Sequence, residues 1–393
     1  MMGESSKASS ENMLFWFVAV PNSSMGPRDL EQMEGKVGPH CAFLKRFNMP
    51  NLKVGTLDSL YALSDELAKR DTFIEATTRK IARQLYDLYL EDEVNKKDKH
   101  EKILMVNGVN VDTYLHQFKW DEAKYKLSSP LKDIVDAIST TVSKLDEDLR
   151  TKASNYNNIN QSLAAIERKK TGNLLICDLT DFIKPEDIVE TEYLTTLFVI
   201  VPKHSQKEWL NTYETLVDNV VPRSSNLLHT DGELCLYTVV LFRKIVDDFK
   251  HVARLSKFTV REFTYDPEQV AQGKQEEKEQ HSQKEKQKKN LIRWCRLNFA
   301  EAFSSWTHLK VVRIFVESVL RYGLPVDFTC VLLEPLRNHQ KKIRTILEQM
   351  FAGVGSAYFK SSGEDDATLL ATGTTTEKFY PYVFSKMHLN LSH

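Results

Sequence analysis

Apolar positions fall into distinct patterns along the chain, and each predicts a different element. Leu14-Phe15-Trp16-Phe17-Val18-Ala19-Val20 is an unbroken apolar run closed by Pro21. A run this short, rich in aromatic and β-branched residues, reads as a strand buried on both faces. Ser64 to Leu90 instead repeats at helical spacing through Leu67, Phe73 or Ile74, Ile81, Leu85 and Leu88. Glu91 to Lys102 reads as a charged connection, and Asn107-Gly108 marks a turn.

A narrower stripe begins after Ser129-Pro130, which reads as a helix N-cap and first helical residue. Val135, Ile138, Val142, Leu145, Leu149, Lys152, Tyr156, Ile159, Leu163 and Ile166 follow at alternating steps of 3 and 4, with Lys152 the one polar member. A 3.5-residue repeat held on a polar background predicts a coiled-coil seam on one continuous helix, closed by Gly172. Some 40 residues at about 1.5 Å each give a rod of roughly 60 Å, so part of it is expected to project from its domain.

Residues 193 to 263 change period again. Leu194 to Val201 reads as a strand and Ser205 to Asn219 as an amphipathic helix. Val220 to Leu228 is extended, Thr230-Asp231-Gly232 signals a hairpin, and Leu234 to Leu241 returns as a strand. A helix through Phe242, Ile245, Val246, Phe249 and Val252 and a strand over Phe258 to Phe263 complete a β-α-β-β-α-β order, the ferredoxin-like plan.

From Gln272 to Asn290 there is no large apolar residue, which reads as a solvated helix or a disordered linker. The seam therefore lacks an evident apolar partner. One arrangement is left open, in which the seam's first half packs into the N-terminal body and its second half meets another chain. Leu291 to Tyr322 is a core helix with a wide apolar stripe, closed by Gly323 and Pro325. A strand over Val326 to Leu333, a helix near Lys341 to Phe351 and a last strand around Tyr380 to Leu389 follow.

The predicted fold class is α+β and helix-rich, an elongated dumbbell with a foot built from both termini, a long helical neck and a small βαββαβ-like head. Its parts are a disordered tail (1–12), the foot's N-terminal part (13–155), a neck helix (156–173, continuous with a helix starting near 130), the head (174–262), a returning neck (263–287) and the foot's C-terminal part (288–393).

At 393 residues the chain is long enough for two bodies. Its 53 Lys and Arg nearly cancel its 54 Asp and Glu, so bulk charge gives no sign of nucleic-acid binding. Cys41, Cys177, Cys235, Cys295 and Cys330 are scattered and read as reduced thiols of a cytosolic protein, not as a zinc site. Met13 to Val20 is far too short to span a bilayer, so no direct membrane insertion is expected.

The sequence holds no catalytic constellation. Gly353-Val354-Gly355 lacks the third glycine of a dinucleotide fingerprint, and no phosphate loop, nucleophile elbow or paired histidine spacing is present. Asp146-Glu147-Asp148, Asp247-Asp248 and Asp365-Asp366 read as solvated acids, and Lys169-Lys170-Thr171-Gly172 as a helix end. Asn22-Ser23-Ser24, Asn160-Gln161-Ser162 and Asn390-Leu391-Ser392 match the glycosylation pattern by chance. No catalytic, metal or cofactor site is assigned.

Several stretches resemble the C-subunit family of eukaryotic vacuolar-type proton ATPases. They are Phe47-Asn48-Met49-Pro50-Asn51-Leu52-Lys53-Val54-Gly55-Thr56-Leu57-Asp58 with Ser64-Asp65-Glu66-Leu67, Glu167 to Gly172, Val220 to Asn226, Leu241 to Lys244, and Val316 to Pro325. The likeness runs from about Leu14 to Val383. It implies a non-catalytic stator component of the V1 sector that bridges peripheral stalks, each a heterodimer of the E and G subunits, and the N-terminal cytosolic part of the membrane-bound a-subunit. It further implies a role in assembly, in reversible V1–Vo dissociation and in support of ATP-driven proton transport and organelle acidification. The implied location is cytoplasmic, peripheral on vacuolar, endosomal and other acidic-organelle membranes. Actin is a further partner within the family, and no residue pattern here assigns it.

For the partner interface the expectation falls on Arg223, Ser224, Ser225 and Asn226, a loop between extended segments where backbone groups need partners. The competing reading is a structural turn with Arg223 in an internal salt bridge. Arg321, Tyr322 and Pro325 are expected to shape a helix end. An RNA-binding or cytoskeletal adaptor is the alternative function, since a ferredoxin-like head lies beside Lys284 to Lys289, although neither predicted central strand carries the stacking-aromatic run such readers use.

Overall fold

The computed structural model describes residues 14–22, 27–91, 104–180, 182–324, 326–359 and 380–389. In chain order the elements are β1 (Leu14–Pro21), α1 (Pro27–Val37), β2 (Cys41–Phe47), α2 (Leu57–Leu90), β3 (Met105–Val106), β4 (Val109–Asn110), α3 (Val111–His116) and α4 (Leu131–Thr171). There follow β5 (Leu194–Pro202), α5 (Gln206–Thr212), β6 (Leu227–Asp231), β7 (Leu234–Phe242), α6 (Val246–Leu255), β8 (Thr259–Arg261), α7 (Pro267–Tyr322), β9 (Phe328–Pro335), α8 (Gln340–Phe359) and β10 (Val383–His388). The chain divides into two compact units, Met1–Lys152 with Asn290–His393, and Ala153–Lys289. Both boundaries fall inside helices, the first in α4 and the second in α7.

The first unit holds an antiparallel sheet in the order β10-β1-β9-β2. The apolar opening run becomes an interior strand, and every residue of β1 is buried. Alternate side chains serve the two faces. Leu14, Trp16, Val18 and Val20 pack with Met33 and Val37 of α1 and with Ile343, Leu347 and Phe351 of α8. On the other face Phe17 meets Phe47, and the Tyr322 hydroxyl donates to the Ala19 carbonyl.

Helix α2 starts seven residues earlier than the periodicity predicts. Thr56 caps it, accepting from the Ser59 amide. Asn107 and Gly108, with φ of 50° and 83°, make the tight turn between β3 and β4. Arg70 pairs with Asp136 and Lys80 with Asp146, so α2 and α4 run in the same direction here. Asp71 on α2 meets Lys310 and Arg313 on α7, and Arg296 on α7 lies over the Tyr89 ring, so α7 runs against α2.

Helix α4 is continuous over its predicted length, but it begins one residue later than expected. Pro130 stays extended in a bridge to Lys53, and its carbonyl accepts the Ile134 amide. The seam is consumed within the chain. Val135, Ile138, Val142, Leu145 and Leu149 are buried in the first unit, and Tyr156 and Leu163 in the second. Ile159 and Ile166, the other apolar members of its second half, are half-buried. The charged run 272–290 is helical, forming the first half of α7, and Lys170 of α4 pairs with its Glu277 at 2.6 Å. Lys288 is itself buried, its long aliphatic stem suiting it to such a place.

The second unit carries a sheet in the order β6-β7-β5-β8, all neighbours antiparallel, as a β-α-β-β-α-β chain gives. Leu197, Val199, Val201, Tyr237 and Val239 face a core with Trp209 of α5 and Phe249 and Ala253 of α6. Phe198, Ile200 and Leu236 face the other way, under Leu174, Cys177, Leu179 and Ile183. Helix α5 stops at Thr212, well short of Asn219, which itself adopts φ of 69°.

Several expectations lie outside the described residues. These are the tail 1–12, most of 91–102, Ser23-Ser24, Pro325, Asp365-Asp366 and Asn390-Leu391-Ser392.

Candidate functional site

The loop Arg223 to Asn226 lies in the second unit, where Val220 bridges Leu241 and the Val221 amide donates to the Val240 carbonyl. The chain therefore runs beside β7 before β6 formally begins. Arg223 breaks the ladder with a left-handed φ of 56°, a conformation that costs a non-glycine residue roughly 1 kcal/mol. Ser224 fills the gap, its hydroxyl donating to the Val221 carbonyl at 2.6 Å and accepting the Val240 amide at 3.2 Å. The Ser225 hydroxyl accepts from the buried Trp209 indole at 2.9 Å. Thr238 donates its amide to the Asn226 carbonyl and accepts the Asn226 amide at its hydroxyl.

The Arg223 and Asn226 amides, the Asn226 carbonyl and both serine hydroxyls thus have partners within the unit. The anticipated internal salt bridge of Arg223 is replaced by a backbone contact. Its amide donates to Glu214 at 2.9 Å, and the Tyr213 hydroxyl donates to the same oxygen at 2.8 Å. These two donors hold the Glu214 carboxyl below its ordinary range. What the loop offers outward is the exposed Arg223 guanidinium and the Asn226 side chain.

Arg321 and Tyr322 do tie down the end of α7. Arg321 donates to the Tyr380 and Tyr382 carbonyls at 2.7 and 3.1 Å, and the Tyr322 hydroxyl bridges the Ala19 carbonyl and the Val383 amide. Gly323 follows with φ of 79°, its amide closing onto the Val319 carbonyl.

The buried ionisable groups of the first unit are likewise engaged in holding elements together. Asp71 accepts from Trp306, Lys310 and Arg313. His308 lies against Phe118, Trp120 and Tyr125, and burial pushes its pKa down to about 4. Among the described residues no group of three or more His, Cys, Asp or Glu side chains could hold a metal ion. Asp146, singled out in the sequence, is paired with Lys80. Among the same residues no helix is long and apolar enough to cross a membrane.

The sheet face that an RNA reader of this topology would use is covered by Leu174, Leu179 and Ile183, with Phe182 and Phe263 packed against the same cluster. That cover disfavours the RNA-binding alternative.

The family model for the V-ATPase C-subunit matches residues 15–383. This chain belongs to the V-ATPase C-subunit family. The V-type proton ATPase C-subunit 1-A of Danio rerio is 43% identical, covering 96% of this chain and 98% of its own length. The C-subunit of Dictyostelium discoideum is 44% identical over 95% and 98% of the two chains, and C-subunit 1 of Macaca fascicularis 42% over 96% and 98%. A solved cytoplasmic N-terminal domain of the V-ATPase I-subunit, a homologue of the a-subunit, aligns over 86% of this chain and 98% of its own at 11% identity, with a TM-score of 0.26 that bears no weight.

Membership in the C-subunit family gives local meaning to its signature stretches. Thr56 is the cap of α2, and a Cβ on Gly55 would meet the Ser59 hydroxyl at 2.7 Å. On Gly172 it would meet the Arg168 carbonyl at 2.9 Å. Asp247 and Asp248, expected as solvated acids, lie in the first turn of α6.

Proposed function

We propose that this protein is a non-catalytic stator component of the V1 sector of the proton-pumping V-ATPase. It bridges peripheral E–G stalks and the cytosolic part of the a-subunit, and it leaves the complex when V1 and Vo separate. In this reading the second unit is a head that engages an E–G heterodimer, with the loop of Arg223, Ser224, Ser225 and Asn226 in the contact through its outward Arg223 and Asn226 side chains. The first unit is the foot of an elongated dumbbell, and the protein sits at acidic-organelle membranes through its partners.

The observation that carries the reading is the helical nature of both passages of chain between the units. Lys152–Ala153 lies inside the 41 residues of α4, and Lys289–Asn290 inside the 56 residues of α7. A helix keeps its length because every interior backbone group is bonded along the axis. Two such helices suit a part that resists torque between other proteins. A releasable component also favours small polar contacts, and the exposed Arg223 provides one.

The test mixes the full-length chain with purified E–G heterodimer on a sizing column, well above micromolar concentration. Co-elution in a single complex with no added ATP hydrolysis is expected. Separate elution overturns the proposal. Small-angle scattering of the chain alone checks the shape, and a near-spherical particle would contradict the stator role.

A further inference from the structure

Helix α3 ends on His116, whose ring is held by two aromatic neighbours. It stacks on Phe43 of β2, with centroids 3.7 Å apart and planes 21° apart, and it tilts against Phe15 of β1 at 5.6 Å. Glu334 of β9 stands opposite Phe43 in the ladder, and its Oε2 lies 3.9 Å from the His116 Nε2. A hydrogen bond needs a separation of about 2.7–3.2 Å, so the two atoms are neighbours without being bonded. Nε2 is buried with no hydrogen-bond partner, and among the described residues Glu334 has no other side-chain partner. A buried polar atom left in this way is uncommon in a folded protein.

The charged and titratable groups that face the pair are Asp112 of α3 and Lys45 and Cys41 of β2. Burial pushes the Glu334 carboxyl above its ordinary range, and the charge of Asp112 adds to the effect. Burial also pulls the His116 ring below its own range, against the opposing charge of Asp112 and with help from Lys45. Both directions favour the same arrangement, an uncharged carboxyl whose O–H donates to Nε2 of an uncharged imidazole. The Cys41 thiol, pushed up to about 12, keeps its own proton near neutrality.

We infer that His116 and Glu334 form a proton-operated clasp, in which one proton taken up between them draws the end of α3 onto the sheet of the first unit. The proton comes from solvent, which reaches both partly exposed side chains. Closing the gap takes about 1 Å of movement, a small shift for a helix of six residues. The folded carboxyl keeps its proton to higher pH than the unfolded one. The clasp's contribution is therefore fully present below the ordinary carboxyl value of 4.5 and is lost as pH rises through the higher folded value.

Hydrogen exchange of the full-length chain at pH 7.5 and pH 5.5, corrected for intrinsic rates, reads the clasp at the amides of residues 111–118. Glu334→Gln supplies a carboxamide that donates to Nε2 at both pH values, and His116→Phe keeps the stack on Phe43 while removing the acceptor. Relative to either variant, the wild type is expected to gain protection several-fold on going to pH 5.5. The comparison cancels any effect of acid elsewhere in the unit. An equal pH response in the wild type and both variants overturns the inference. Carbon-13 NMR of the wild type needs no variant. The Glu334 carboxyl is expected to titrate above 4.5, with the His116 ring resonances moving at the same midpoint. A carboxyl that titrates at or below 4.5, or ring resonances that stay still through its titration, also overturns it.

Discussion

The Lys310 ammonium lies 2.7 Å from the Asp71 carboxylate, and both side chains are almost wholly removed from solvent. The pair joins α2 to α7 inside the first unit. Trp306 donates to the other carboxylate oxygen at 2.9 Å, and Arg313 adds a second cation at 2.8 Å. Each buried charge is thereby both neutralised and hydrogen-bonded, the condition under which burying it is tolerable.

Breaking this set from one side is expected to be severe. Asp71→Ala leaves Lys310 buried without a counter-charge, which costs about 3–5 kcal/mol. Replacing both partners by apolar residues, Asp71→Leu with Lys310→Met, removes the stranded charge and is expected to recover most of that loss. Thermal or denaturant unfolding of the three proteins checks the order. A double variant as unstable as Asp71→Ala would refute this account.

The sequence holds a trace of the Asp71 pair. Asp71 occupies the core-facing spacing between Leu67 and Ile74, and Lys310 interrupts a wide apolar helix. Read singly, either residue resembles a surface charge, because pairing across 239 positions leaves no local pattern. Periodicity made β1, the α4 seam and the βαββαβ order legible for the opposite reason, since one buried face repeats locally. It failed where polar residues do structural work. The run 272–290 carries no apolar period, yet it is helix. Helix α5 ends early as the chain turns to bring Glu214 to the Arg223 amide. The Arg223 to Asn226 loop was legible as a special conformation, but its internal hydrogen bonds to Trp209, Glu214 and β7 were not.

A second prediction concerns acid. The His308 Nδ1 lies 2.7 Å from the Ser304 carbonyl, which can only accept, and Nε2 lies 3.1 Å from the Asp121 amide, which can only donate. Both contacts are satisfied only by the neutral ring protonated at Nδ1. The folded pKa of about 4 lies below the ordinary 6.5, so the unfolded chain takes up this proton first. Stability from this group is fully present above pH 6.5 and is lost as pH falls towards 4. The total is about 3 kcal/mol. His308→Gln should flatten the pH dependence of unfolding in that window. An NMR titration showing His308 charging near its ordinary pKa in the folded protein would contradict it.

The cysteines give a third. Burial pushes the thiols of Cys41, Cys295 and Cys330 up to about 12, with Glu334 adding to the effect at Cys41. At pH 8 roughly one such thiol in ten thousand is then the reactive thiolate. Iodoacetamide is expected to leave these three unmodified in the native protein for hours and to label all five free cysteines once guanidinium is present. Peptide mass spectrometry reads the sites. Fast native labelling of Cys330 would show that the sheet of the first unit opens readily.

The last prediction separates folding from binding within one loop. The Ser224 hydroxyl bonds two backbone groups at once, so Ser224→Ala strands the Val221 carbonyl and the Val240 amide and is expected to cost about 1–3 kcal/mol. The Arg223 guanidinium makes no hydrogen bond or ion pair among the described residues, so Arg223→Glu is expected to leave stability within about 0.5 kcal/mol. If Arg223 meets the E–G stalk as proposed, the same change weakens that complex while the melting temperature stays put. Ser224→Ala should do the reverse, lowering the melting temperature and sparing affinity while the protein remains folded. Melting curves paired with titration against E–G resolve the two effects. An Arg223→Glu protein that binds normally would take this residue out of the interface, whatever the rest of the surface does.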